Sequence, residues 1–132
     1  MKRIACVFVV IMFALSLGCS VKDQSKAEQK NPVRLTVINT FKPGFADIKK
    51  AQLIQFEMDP GAEVKGFKLP CSEILWVTEG TFTYKYKHKH GVEIVERKKG
   101  ESWFASEGTL LDVYNKGNAT AILRGIQLYK TE

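Results

Sequence analysis

Two histidines near the middle of the chain, His88 and His90, are the first residues whose spacing could do chemistry. One residue separates them, so both imidazoles fall on the same face of a strand and could ligate one metal ion. Lysines at positions 85, 87 and 89 surround them, and these positive charges would oppose the binding of a cation. The pattern therefore favours two solvated histidines at a strand end, with a metal site as the alternative.

Cys71 is the second candidate for chemistry. A cysteine becomes nucleophilic when a neighbouring histidine or lysine lowers the pKa of its thiol, and the sequence does not guarantee such a neighbour. A small buried hydrophobic residue is the favoured interpretation of Cys71. A thiol ligand or nucleophile is the alternative.

Short strands must position these residues, since Gly, Pro and Asn interrupt the apolar pattern every few residues. The segment 81–90 has strict period-two alternation, which predicts a half-buried strand. Phe82, Tyr84, Tyr86, His88 and His90 share one face of this strand. The aromatic stripe could line a ligand pocket, although such a stripe is more often part of a core.

The remaining pattern also predicts strands, and no long amphipathic helix is present. A sandwich or barrel is typical of many short strands at this spacing. Segment 45–50 is ambiguous and could form a short helical turn. The other predicted strands are 34–39, 51–58, 74–77, 92–97, 101–106, 110–114 and 120–129.

The N-terminus has the pattern of an export signal. Lys2 and Arg3 precede an uncharged run from Ile4 to Leu17, whose 14 residues are fewer than the roughly 20 needed to span a bilayer. The run ends in Leu-Ser-Leu-Gly-Cys-Ser, which resembles a bacterial lipobox with Cys19 as the lipidated residue. An ordinary secretory signal with an incidental cysteine is the alternative.

This resemblance implies three parts: a lipoprotein signal peptide at 1–18, a lipidated Cys19 with a disordered tether over 19–32, and a domain at 33–132. The polar composition of residues 20–31 agrees with a tether. The resemblance also implies a cell-envelope location on a membrane. Ser20 after the cysteine is similar to lipoproteins of an outer membrane, facing the periplasm, if the source has two membranes.

Charge and cysteine usage fit an exported protein. Removal of residues 1–18 takes two basic residues and no acidic one, which leaves 18 Lys and Arg against 14 Asp and Glu. This mild, scattered excess does not indicate a nucleic-acid partner. Cys6 leaves with the signal and Cys19 carries lipid, so Cys71 is expected to be the one free thiol and no internal disulfide can form.

The stretch from Gly61 to Gly80 resembles the first signature of the cupin superfamily. That signature is a Gly, five residues, His-x-His, three residues, a Glu, six residues and a closing Gly. Gly61, Glu73 and Gly80 hold the matching places, but Phe67 and Leu69 stand at the two histidine positions.

The second cupin signature follows after nineteen residues, in the expected order. Gly100, Gly108 and Asn115 match it, while Ser106 takes the place of a proline and Leu111 the place of a histidine. The resemblance extends over about 53–129. It implies an all-β single domain of the cupin type, a double-stranded β-helix or jelly-roll barrel.

Cupins typically bind a divalent metal through the four positions that Phe67, Leu69, Glu73 and Leu111 occupy here. Three of the four are apolar, and a catalytic metal needs about three protein donors. The resemblance therefore implies a site without a metal or other cofactor. These four residues form a candidate pocket, unless the barrel interior is packed shut. Cys71, Tyr84, Tyr86 and His88 are secondary candidates.

Glu73 would lie among apolar side chains if it points inward, and burial would then raise its pKa. It could serve as a general acid or base, or as the anchor of a cationic or hydroxylated ligand. In the alternative, Glu73 lies at the barrel mouth or pairs with a basic residue and is structural.

Two classes of function remain from the sequence. The favoured one is a non-catalytic envelope protein that binds a small apolar or mixed ligand in the barrel, or a protein partner on its surface. The alternative is an enzyme, either metal-free with Glu73 as acid or base, or with a metal site built from His88, His90, Glu73 or Cys71. An open pocket with Glu73 inside would favour the enzyme, whereas a filled barrel would leave only partner binding. Cupins of this kind often dimerise, so a homodimer is one expected form.

Overall fold

The structure, a computed structural model, describes residues 31–44 and 47–131, and the regular elements in these ranges are all β-strands. The predicted signal peptide, Cys19 and most of the predicted tether lie outside the described residues. The strands are β1 (Val33–Phe41), β2 (Ile48–Met58), β3 (Glu63–Lys68), β4 (Ser72–Glu79), β5 (Thr81–His88), β6 (Gly91–Lys98), β7 (Ser102–Ala105), β8 (Leu110–Tyr114) and β9 (Ala121–Lys130).

The nine strands form two antiparallel sheets. One sheet has five strands in the order β1-β2-β9-β4-β7, and the other has four in the order β3-β8-β5-β6. Neighbouring strands in space are often distant in sequence, as in the pairing of β2 and β4 with β9. The inner faces of the two sheets supply the buried side chains, so the core lies between them.

Period-two alternation selects the inner face of each strand. In β2, Ile54 and Met58 are buried, whereas Leu53 on the opposite face is only half-buried. In β9 every second residue from Ala121 to Gln127 is buried. Hydrophobic burial on one face therefore fixes the register of both strands.

One end of the barrel is filled. Met58, Phe82 and Ala121 have no exposed surface, and Val77 is 2% exposed. Asn115, which matches the second cupin signature, closes this end, because its amide donates to the carbonyls of Met58 (2.9 Å) and Ala119 (2.8 Å).

Gly80 shows why a glycine is required between β4 and β5. Its φ of 70° lies in the left-handed region, and a Cβ there would lie 2.9 Å from the Cα of Ala121. The turn is therefore tight enough to bring the ends of two strands directly against β9.

Two local predictions need correction. Residues 48–50 of the ambiguous segment 45–50, for which a helical turn was one possibility, belong to β2, while residues 45 and 46 are not described. The predicted strand 81–90 ends at His88, so His90 lies in the turn before β6. Along the described ranges, no helix has the length and apolar character required to cross a membrane.

Candidate functional site

A cavity of about 270 Å³ occupies the end of the barrel opposite Met58 and Phe82. Both sheets contribute to its wall, and most of the lining side chains are apolar or aromatic. They are Val33, Leu35, Ile54, Phe56, Val64, Phe67, Leu69, Glu73, Leu75, Tyr84, Tyr86, Trp103, Ala105, Leu111, Val113, Leu123 and Gln127.

The four candidate pocket residues all line this cavity. Phe67 on β3 faces Leu111 on β8 in the register of the smaller sheet, and Leu69 and Glu73 follow on either side of the turn into β4. The interior at this end is therefore not packed shut. The sequence resemblance grouped four residues that line one cavity in the structure, although it left open whether a space existed between them.

Glu73 points inward and is 6% exposed. It lies directly opposite Gln127 in the pairing of β4 with β9, and the Gln127 amide donates a hydrogen bond of 2.7 Å to Glu73 Oε1. Burial raises the pKa of Glu73, and this hydrogen bond opposes that rise. Of the two placements considered for Glu73, the structure has the inward one, and none of the described basic side chains pairs with it.

Gln127 is a residue of the site that sequence reasoning missed. Its amide oxygen accepts a 3.2 Å hydrogen bond from the Tyr129 hydroxyl, so the amide nitrogen is turned towards Glu73. Its position in the sequence could have indicated it. Gln127 is the fourth of the alternating inward-facing residues of β9, and the other three are small or apolar. A polar residue at such a position marks a buried hydrogen bond or a site.

Aromatic rings form one wall of the cavity. Tyr84 meets Trp103 edge to face at 5.4 Å and stacks on Tyr86 at 5.7 Å. Burial raises the pKa of Tyr86, and the Arg97 guanidinium, which lies over the Trp103 ring at 5.0 Å, opposes that rise. Tyr84 and Tyr86 thus belong to the cavity, while Phe82 of the same stripe belongs to the filled core.

The cavity reaches solvent beside Leu35 and Phe67. Both side chains line it, yet Leu35 is 57% exposed and Phe67 is 43% exposed. Leu35 lies on β1 and Phe67 on β3, so the opening lies between edge strands of the two different sheets.

The other secondary candidates do not line the cavity. His88 is 54% exposed and contacts Glu93 at 3.3 Å, and His90 is also exposed. Cys71 is buried beside Tyr129, and burial raises the pKa of its thiol. Among the residues that the structure describes, no three His, Cys, Asp or Glu side chains are grouped so that they could hold a metal ion. The alternative metal site from His88, His90, Glu73 and Cys71 therefore has no common position in the fold.

This arrangement can bind a small apolar molecule and offer it one buried carboxyl group. It could also transfer a proton, since a carboxyl with a raised pKa is suited to acid or base chemistry. The two tyrosines among the described lining residues are poorly suited to this role, because burial raises the pKa of Tyr84 well above its ordinary value and also raises the pKa of Tyr86.

No family model and no curated protein matches the sequence. Solved structures do match, at low identity. A cupin superfamily protein from Desulfitobacterium hafniense DCB-2 has a TM-score of 0.58 at 11% identity, over 77% of this chain and 82% of that chain. A cupin domain from Bordetella pertussis Tohama I has a TM-score of 0.56 at 15% identity, over 76% and 97%.

An oxalate oxidase in complex with the substrate analogue glycolate is similar as well, with a TM-score of 0.58 at 16% identity. The match covers 74% of this chain and 51% of the oxalate oxidase, so the chain spans about half the length of that enzyme. These likenesses establish the fold alone. The sequence prediction of an all-β cupin-type barrel is confirmed.

Proposed function

We propose that this cupin-fold protein is a non-catalytic lipoprotein of the cell envelope that binds a small, mostly apolar ligand in the hollow end of its barrel. The observation that carries the proposal is the cavity of about 270 Å³, which has an apolar and aromatic lining and an opening at Leu35 and Phe67. Concave, mainly apolar sites with a few placed polar groups are typical of small-molecule binding.

Three substitutions at the cupin ligand positions support binding over metal chemistry. Phe67, Leu69 and Leu111 occupy the positions of three metal-binding histidines and form an apolar wall of the cavity. Glu73 is then the one donor left at the four ligand positions. The lipobox-like sequence around Cys19 supports attachment to a membrane through lipid. A partner-only function has less support, because the barrel is not filled.

Ligand extraction tests the binding proposal. The mature lipoprotein is purified from its native membrane, and small molecules released by organic solvent are identified by mass spectrometry. Ala105→Leu places a larger side chain into the cavity, and Phe104→Leu is the matched control, since Phe104 is the next residue on β7 and is 60% exposed. A molecule retained by the wild type and Phe104→Leu but lost from Ala105→Leu is expected. Equal retention by all three proteins, or none in any, contradicts the proposal.

A variant of Cys19 tests whether this residue carries the lipid anchor. Cys19→Ser is expected to abolish incorporation of labelled fatty acid. Unchanged labelling would show that Cys19 is not the lipidated residue.

Glu73 inside an open pocket favours a second candidate, a metal-free enzyme with this residue as acid or base. Binding has the stronger support because Gln127 is the one described residue that hydrogen-bonds the carboxyl group. Glu73→Gln separates the two functions once a ligand is identified. An enzyme would convert the ligand and lose turnover in this variant, whereas a binding protein would return the ligand unchanged.

A further inference from the structure

We infer that the ligand of the cavity is a monocationic amine with an apolar body, whose ammonium group binds Glu73 Oε2. The inference rests on the proposed binding function and adds the chemical class of the ligand. The apolar body would lie against the aromatic wall of Tyr84, Tyr86 and Trp103, which lines the same cavity.

The charge of the cavity is the first argument. Glu73 is the one acidic lining residue, and no Lys, Arg or His is among the described residues that line the cavity. Arg97 does not line the cavity, and its guanidinium lies over the ring of the lining residue Trp103 at 5.0 Å. A buried carboxylate without a counter-charge is costly, so a cation supplied by the ligand would stabilise it.

The hydrogen bonding of Glu73 is the second argument. Gln127 donates to Oε1, and no described residue donates to Oε2. The amide of Gln127 cannot exchange its ends without losing the hydrogen bond from Tyr129 to its oxygen. One carboxylate oxygen of a residue that is 94% buried is therefore left for a donor that enters the cavity.

The aromatic wall is the third argument. The wall provides a flat apolar surface for the ring or chain that carries the amine. The ammonium group itself would bind at Glu73, since the Arg97 guanidinium already lies over the Trp103 ring at 5.0 Å. An anionic ligand would meet the same carboxylate and be repelled, and a neutral alcohol could donate to Oε2 but would not balance its charge.

Three probes of equal shape test the inference: 1-naphthylmethylamine, 1-naphthylmethanol and 1-naphthoate. Binding is followed by methyl NMR of the mature lipoprotein in detergent micelles, through the signals of Leu69, Leu111 and Val113, which line the cavity. The alcohol can donate the same hydrogen bond but carries no positive charge, so the amine is expected to bind about tenfold tighter than the alcohol, or about 1.4 kcal/mol. The naphthoate is expected to give no shift.

Glu73→Gln provides the matched variant. It should remove the preference for the amine and keep alcohol binding. Glu79→Gln removes an exposed charge on the same strand and should change neither the preference nor the alcohol binding. Equal or tighter binding of the alcohol or the naphthoate by the wild type would overturn the inference and leave the binding function standing. If no probe shifts the cavity methyl groups, both the inference and the binding function are wrong.

Discussion

The two ends of this barrel use the same strands for opposite purposes. β5 supplies Phe82 to the filled end and Tyr86 to the hollow end, and β4 supplies Val77 to the first and Glu73 to the second. At the filled end the side chains leave no exposed surface, while at the hollow end large side chains surround a space. The comparison indicates that packing at one end stabilises a scaffold whose other end surrounds a cavity.

The largest expected difference concerns one phenylalanine at each end. Phe82→Ala removes a fully buried ring and should lower the free energy of unfolding by about 3–5 kcal/mol. Phe67→Ala removes a ring that is 43% exposed at the cavity mouth, and the loss should stay below about 1.5 kcal/mol. Urea unfolding of both variants measures this difference, and equal losses would remove the distinction between the ends.

An alanine at each end gives the reverse test, in which a larger side chain is inserted. Ala121→Leu should cost about 1–3 kcal/mol, because Ala121 has no exposed surface and lies against Gly80. Ala105→Leu enters the cavity and should change stability by less than about 1 kcal/mol. Thermal or urea unfolding checks both values. A large loss for Ala105→Leu would mean that the cavity does not exist in solution.

The pH dependence of stability sharpens the comparison at Glu73. Burial raises the pKa of this carboxyl group in the folded state above its ordinary value of 4.5. The folded protein then binds more protons than the unfolded chain between 4.5 and the folded pKa, so Glu73 lowers stability as pH rises through that window. The free energy of unfolding of Glu73→Gln, relative to that of the wild type, should therefore increase with pH through this window. Above the folded pKa the difference should stay constant.

Urea unfolding from pH 4 to pH 8 measures this change, with Glu79→Gln as the control on the same strand. Glu79 is exposed and contacts Lys99, so its substitution should give no comparable rise. A pH-independent difference between the wild type and Glu73→Gln would show that Glu73 is hydrated in the folded protein.

The reactivity of the Cys71 thiol tests where the hollow end stops. Cys71 is 1% exposed and does not line the cavity, and burial raises the pKa of its thiol. It should therefore react with a disulfide reagent on the order of a hundredfold more slowly in the folded protein than in urea. Rapid reaction in the folded protein would mean that the space extends past Gln127 and Tyr129.

Much of the site could be predicted from the spacing of the glycines and Glu73. Gly61, Gly80, Gly100 and Gly108 all have positive φ, so the turns fall where the cupin pattern requires them. That pattern placed Phe67, Leu69, Glu73 and Leu111 around one point. The fold and the composition of the inner wall follow from these local rules.

The hollow space itself could not be predicted, because it depends on side chains distant in sequence. Ala105 is small where it faces Glu73, and Leu35 reaches the cavity only through the pairing of β1 with β2. Gln127 was missed for the same reason, since its role depends on its register with Glu73 and on the hydroxyl of Tyr129. Volume and long-range hydrogen bonding are properties of the assembled sheets.

The position of the opening has a consequence for the speed of exchange. Leu35 and Phe67 belong to strands of different sheets, so no ladder of backbone hydrogen bonds closes the passage between them. Rotation of partly exposed side chains takes picoseconds to nanoseconds, far less than the time needed to open a sheet. A bound molecule can therefore leave without local unfolding, and its residence time would be set by its contacts inside the barrel.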